Sequence, residues 1–286
     1  MDGKALPREH QLLGVYVMKA VNRISSARLV YLDGSASSGN FPLSCQDSFL
    51  PGKDVEILAG AGRDCVSLFQ GIVVRQSLKI RESSASQLVI ECRHQAVKLT
   101  VGRKSACFFD QKDSDIIEGI LGEASLDGKV EGSKVTHKQQ VQYQSTDWDF
   151  LLLRAEANGK IVLTNDARVS VKAPSFVGKP VCTLQFGSTI IEMDAEMDAR
   201  LQYPAVKSYS WDPAQQEVIC KEAADPAPTV PGNLAAAELA RVSGLAEYRL
   251  QNGSLPEEEA QAWADAQWLK SQLGKISGRI KCEGIA

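Results

Sequence analysis

The sequence predicts an α+β chain that is mainly β, built as two similar β-barrel domains with helical insertions. Three observations carry that prediction. Short β-prone runs separated by Gly, Ser, Asp and Pro clusters fill residues 15–100 and return between 160 and 222. Apolar residues at helical spacing occur only after residue 112. The order is therefore β-rich, helical, β-rich, helical, the pattern of two related barrels that each carry a helical excursion.

The first block reads as VYVMKAVN, ARLVYLDG, KDVEILAG, VSLFQGIVVRQSLKI and SQLVIECRHQAVKL, spaced as in an antiparallel barrel or sandwich. The fourth run is longer than a mean strand and is expected to bend at Gly71 or to wrap a barrel corner. In DQKDSDIIEGILGEASLDG, Ile116, Ile117, Ile120, Leu121 and Ala124 recur at helical spacing. Asp113 or Ser114 is expected to cap that helix, with Asp115 favouring its positive end and Gly128 stopping it. A polar strand, KVTHKQQVQYQ, leads to a second helix in STDWDFLLLRAEANG. Ser145 or Thr146 caps it, Asp147 and Asp149 sit in its first turn, and Gly159 ends it. Trp148, Leu151, Leu152 and Ala155 share one apolar face, Phe150 and Leu153 another, so burial on two sides is expected.

Strands are then expected in KIVLTND, ARVSVKAP and KPVCTLQFG. In residues 191–200, Ile191, Met193, Ala195, Met197 and Ala199 alternate with Glu192, Asp194, Glu196, Asp198 and Arg200. Period 2 predicts a strand with one buried face and one acidic, wet face, its carboxylates about 7 Å apart. AVKSYSWDPAQQEVICKEA reads as two strands across a turn at Asp212-Pro213. A Pro-rich linker, ADPAPTVPGN, precedes an Ala-rich helical region over 234–273. Its second helix is expected to open at Ser254 with Glu257 completing a capping box. Ala262, Ala266, Leu269 and Leu273 would form its apolar stripe, with Trp263 and Trp268 alongside, and Gly274 and Gly278 its end.

Composition narrows the function classes. The 286 residues are 44% hydrophobic and 23% charged, ordinary for a globular chain, with a formal net charge of -3. That balance lacks the basic footprint of a nucleic-acid binder. No run approaches the ~18 apolar residues of a membrane span, and the N-terminus has no apolar leader region. Cytoplasmic folding is expected. The 7 Cys include no C-x-x-C pair and read as small core residues in a reducing compartment.

The chemistry-bearing residues do not cluster. The 3 His, at 10, 94 and 137, are far apart in sequence and make no H-E-x-x-H, so no metal site is expected. There is no G-x-S-x-G nucleophile elbow and no phosphate-binding loop. Asp147 and Asp149 flank Trp148 as a glycosidase pair might flank a stacking aromatic, but residues two apart on a helix point different ways. They read as cap and dipole residues. No catalytic residue, cofactor or metal ligand is assigned.

Three runs, FFDQKDSDIIEGIL, VQYQSTDWDFLLLRAEANGKIVLTND and IIEMDAEMDARLQYPAVKSYSWDPAQQE, occur in this order over about residues 108–220. Together they resemble the hub region of the VgrG spike family, related to phage tail hub proteins of the late control protein D type. The motif residues are Asp113, Ser114, Asp115, Ile116, Ile117, Asp147, Trp148, Asp149, Phe150, Trp211 and Asp212. The resemblance implies a phage tail hub-like fold: a first barrel over 1–105 and a helix-containing insertion over 106–175. A second barrel follows over 176–222, closed by 275–286, with the linker and helical excursion over 223–274. It also implies a non-enzymatic homotrimer that adapts a hexameric, Hcp-like tail tube to a trimeric spike, alongside baseplate components and effector cargo. Such a machine assembles in the cytoplasm and is delivered outside the cell or into a target. Glu192, Asp194, Glu196 and Asp198 would then line the lumen or meet the tube. In that family an oligonucleotide/oligosaccharide-binding fold and a β-helix needle follow the hub, and truncation before them is expected here. Two other readings compete: a baseplate-associated cell-wall hydrolase, which needs converging acid and base groups, and a monomeric carbohydrate-binding β-module, which needs exposed aromatics.

Overall fold

The structure is a computed structural model that describes residues 1–283 apart from 8, 36, 38, 62–63, 83, 176–179 and 225–232. The chain is mainly β, with 15 strands and 4 α-helices among the described residues. It divides into two compact units. Met1–Gly132, Thr136–Leu152 and Ile161–Lys172 form the first; Ser133–Val135, Leu153–Lys160 and Ala173–Ala286 form the second.

The first unit opens with β1 (Leu12–Met18), β2 (Ser26–Leu32), β3 (Asp54–Ala61), β4 (Asp64–Arg81) and β5 (Ser84–Arg93). They make one antiparallel half-barrel in the order β1-β2-β5-β4-β3, with β1 and β3 at its two edges. Alternation puts Ala27, Leu29 and Tyr31 of β2 on the core side with Val55, Phe69, Val73, Leu88, Ile90 and Cys92 of the other strands. Phe49 closes this core edge-on against Tyr31, ring centroids 5.2 Å apart. Buried Asp33 holds the loop above it by accepting from the N–H groups of Leu43 (2.9 Å) and Ser44 (2.8 Å). At Gly71 a Cβ would lie 2.2 Å from the Arg93 carbonyl oxygen. The glycine thus allows close approach of β4 to β5, and β4 runs on through it for 18 residues.

The chain continues with β6 (Lys104–Lys112), α1 (Asp113–Glu123), β7 (Asp127–Val130), β8 (Thr136–Ser145), α2 (Asp147–Ala157), β9 (Ile161–Asn165) and β10 (Arg168–Lys172), all in the first unit except α2 from Leu153 on. Strands β6 and β8 pair as a two-stranded ribbon, and β7-β10-β9 form a small sheet. Two features depart from the reading of the sequence. The boundary residue of α1 is Lys112, and Ser125 in left-handed backbone (φ 55°), not Gly128, ends the helix. Ser125 N–H bonds to the Gly122 carbonyl and Leu126 N–H to the Leu121 carbonyl, a Schellman closure. Gly128 instead lies in β7.

In the second unit β11 (Ile190–Met197) pairs with the last strand, and β12 (Val206–Asp212) pairs with β13 (Glu217–Glu222) across the Asp212 turn. Then come α3 (Ala236–Ala240), β14 (Tyr248–Gln251), α4 (Glu257–Leu273) and β15 (Ile276–Cys282). Between the two helices of the region expected over 234–273 lies β14, a strand not expected there, which runs parallel to β12. Helix α4 starts after Pro256 rather than Ser254. It buries Ala260 and Ala264 rather than Ala262 and Ala266, so its inner face is rotated from the expected stripe, while Trp268, expected beside that stripe, packs on the cluster of Tyr203 and Val206. The pairing with β12 selects that face. Residues 180–189 form no strand, contrary to the reading of KPVCTLQFG, and the linker expected at 224–233 lies, but for its ends, outside the described residues. Of the 7 Cys only Cys92 is in the core; Cys45, Cys65, Cys107, Cys182 and Cys220 are exposed.

Candidate assembly surfaces

The first two motif runs anchor helices to the β6–β8 ribbon. Asp113 and His137 are both buried, with Asp113 Oδ2 3.0 Å from His137 Nε2 across the β6–α1 corner. Ser114 donates to Asp115 Oδ1 (3.2 Å), and Ile116 and Ile117 are buried. At the second helix, Thr146 Oγ1 accepts from Asp149 N–H (3.1 Å) and donates to Asp149 Oδ2 (2.7 Å), which caps the first turn. Asp147 turns the other way: Gln142 Nε2 donates to it at 3.1 Å, and Lys104 Nζ lies at 2.7 Å. That carboxylate raises the Lys104 pKa. The two acids therefore serve different partners and do not converge on a substrate-sized gap. Trp148 and Phe150 are buried, and Phe150 stacks on Phe108 of β6 with centroids 5.8 Å apart. Leu153, expected to be buried with Phe150, is exposed. In the second unit Trp211 is partly exposed, while Asp212 Oδ1 accepts from the N–H groups of Ala214 (2.8 Å) and Gln215 (3.2 Å) to shape the β12–β13 turn.

The strand expected at 191–200 is present as β11, but its apolar face is not buried. Register sets Met193 opposite Ile280, Ala195 opposite Gly278 and Met197 opposite Ile276 on one side. Met193 is 55% exposed and Ile280 49%. The other side sets Glu192 opposite Lys281, Asp194 opposite Arg279 and Glu196 opposite Ser277. Glu192 pairs with Lys281 (2.7 Å), and Glu196 accepts from Ser277 Oγ (3.0 Å). Asp198 lies past the strand end and folds onto Arg200, which holds its carboxyl down to about 2. Of the row, Glu192 is matched by Lys281, 89 residues away and so not legible locally, and Asp198 by Arg200, two residues away on the same face of the sequence alternation.

A second uncovered face belongs to the β6–β8 ribbon and was missed, because β6 was not expected as a strand. Its register puts Cys107 opposite Val141, with Phe109 and Tyr143 two residues along on the same side. Phe109 is 58% exposed and Tyr143 77%. The alternation in CFF and VQY was the available signal. On the β12–β14 sheet, Glu247 meets Lys207 Nζ (2.8 Å), Arg249 Nε (2.6 Å) and the Tyr209 hydroxyl (3.1 Å). The Lys207 and Arg249 cations hold its carboxyl down to about 2. This is a saturated surface network with no open polar centre. Among the described residues no group of three His, Cys, Asp or Glu is placed to hold a metal ion, and no helix is long and apolar enough to cross a membrane.

Among the comparisons with known proteins, the solved structures speak to the fold. The family model described as the Alg8 N-terminal domain matches residues 1–286. No curated protein matches the sequence. The tail protein from Neisseria meningitidis MC58 superposes with a TM-score of 0.62 at 16% identity, covering 96% of this chain and 79% of that one. The 43 kDa tail protein of prophage MuSo2 from Shewanella oneidensis gives 0.59 at 13%, covering 96% and 83%. The E. coli c3393 protein, described as a component of the type VI secretion system, gives 0.51 at 12%, covering 68% of this chain and 55% of that one. At these identities the likeness is one of fold: this chain has the fold of phage tail proteins.

Proposed function

We propose that this chain, which belongs to the Alg8 N-terminal domain family, is a structural hub of the trimeric spike in a contractile injection machine and performs no catalysis. Three copies, each supplying a half-barrel and a second β-containing unit, form a ring that adapts a hexameric tail tube to a threefold spike. The ring assembles in the cytoplasm and leaves with the machine. Its fold, shared with tail proteins over 96% of the chain, supports this reading.

The observation that carries it is the pair of two-stranded ribbons, β6–β8 and β11–β15, each with an apolar face open to solvent. A two-stranded ribbon is marginal by itself and needs cover. Covering half-exposed side chains such as Met193, Ile280, Phe109 and Tyr143 is worth about 1 kcal/mol each. A neighbouring copy supplies that cover in a ring. The charged side of β11, with Glu192, Asp194, Glu196 and nearby Asp198, then faces the lumen or the tube.

Sedimentation velocity on a Met193→Lys, Ile280→Lys variant tests the reading. Both positions are exposed, so the monomer should keep its melting temperature while the assembled species disappears. An assembled fraction equal to that of wild type would refute it.

A further inference from the structure

The half-barrel of the first unit is not closed. Its edge strands β1 and β3 line one cavity of about 700 Å3, together with Met1–Leu6 and the Asp166 turn. The bulge between Leu12 and Gly14 turns Leu12 and Val15 to the cavity side, and the bulge between Ile57 and Leu58 does the same for those residues of β3. The floor is therefore apolar. Apart from its bulge, β1 lacks the usual edge protections. Strand β1, LLGVYVM, has no charge and no proline, and most of its large apolar side chains are exposed.

On β3 the backbone groups facing the seam are those of Asp54 and Glu56. The β3–β4 ladder uses the Lys53 carbonyl, which accepts from Val73 N–H (2.9 Å), and by period 2 Val55 and Ile57 also point that way. The chain's own first residues already occupy one end of the seam: Met1 and Leu6 pack against the core, and Lys53 Nζ lies 2.9 Å from Asp2. Asp2 N–H donates to the Asp54 carbonyl (2.9 Å), and Asp54 N–H donates to Asp2 Oδ1 (3.0 Å). Two residues on, the outward backbone groups of Glu56 have no backbone partner among the described residues. The rim carries Asp54, Glu56 and Asp166 against Lys4 and the Met1 ammonium, a net acidic lining in which Asp166 also lies 3.9 Å from Lys19.

We propose that this seam receives an extended strand from a partner protein, with residues that alternate between apolar and basic. Its backbone adds to the open edges, its apolar row fills the slot over Leu12, Val15, Ile57 and Leu58, and its basic row lies beside Glu56 and Asp54. Backbone pairing supplies the affinity, and the two side-chain rows supply the selection. The proposal does not rest on the spike reading, and either can fail without the other.

The test uses the full chain and three labelled seven-residue peptides matched to the 7 residues of β1, followed by fluorescence anisotropy. One alternates Val and Lys, one alternates Val and Glu, and one is the Val/Lys peptide N-methylated on alternate amides. The Val/Lys peptide should bind saturably, and the other two about tenfold more weakly. Glu56→Lys, at an exposed position, should weaken Val/Lys binding about tenfold while leaving the circular dichroism spectrum unchanged. Absence of saturable Val/Lys binding, or binding indifferent to both N-methylation and Glu56→Lys, would overturn the proposal. Self-association that Val15→Asp abolishes and the Val/Lys peptide displaces would assign the slot to a second copy and equally overturn it.

Discussion

Replacing Phe150 with Ala removes the ring that ties α2 to the β6–β8 ribbon. Phe150 is 4% exposed and lies nearly parallel to Phe108, 13° between ring planes. Loss of a buried Phe costs about 3–5 kcal/mol, and the stacking pair accounts for roughly 0.5–1.5 of it. For a unit of this size that lowers the melting temperature by roughly 6–20 °C. The assay is urea unfolding followed by tryptophan fluorescence in a chain carrying Phe at 211, 263 and 268. Trp148 is then the sole reporter, and it sits in the first unit. The replacements at 263 and 268 remove buried indole N–H groups that have no acceptor among the described residues. The midpoint should fall with the slope unchanged. Phe108→Ala and the double variant should give a coupling of about 1 kcal/mol. A Phe150→Ala midpoint equal to that of the parent would refute the packing argument, because a 4% exposed ring cannot leave its site at no cost.

Three further outcomes are expected. The Glu247 carboxyl should titrate near 2 rather than 4.5, and Lys207→Ala should move it upward, read by carboxyl-carbon NMR. Its folded pKa lies below the unfolded one, so what it adds to stability is present above about pH 4.5 and is lost as pH falls through about 2. Arg154→Ala, which removes the buried partner 3.2 Å from Glu259, should cost about 3–5 kcal/mol in denaturant unfolding, and Arg154→Met with Glu259→Met should recover much of it. Under native conditions Cys92 should resist a thiol reagent that modifies the exposed cysteines, because burial, with Glu91 adding to it, pushes its thiol up to about 12.

The parts of the fold legible in the sequence are those decided locally. Alternation in ARLVYL and SQLVIEC is enough to place Leu29, Tyr31, Leu88 and Ile90 on one core. Thr146 and Gly159 mark α2 because caps act within a few residues, and Gly159 takes the left-handed backbone (φ 62°) that the Schellman closure requires. What was not legible depends on partners far along the chain. The Asp113–His137 contact joins residues 24 apart, and the Lys281–Glu192 pair joins residues 89 apart. Strand β6 was obscured because Asp110 bends it with a positive φ (51°) just before α1. The alternation of β11 correctly predicts a strand with two unlike faces. Alternation cannot tell whether the cover for the apolar face comes from the same chain, and here none of the described residues provides it.

Native mass spectrometry of the purified chain, across a concentration series, tests the central claim most directly: that these apolar ribbons are covered by copies of the same chain. The account predicts a species of three times 31.0 kDa that grows with concentration at the expense of the monomer. A single 31.0 kDa species throughout the series, with both ribbons still open to solvent, would contradict it.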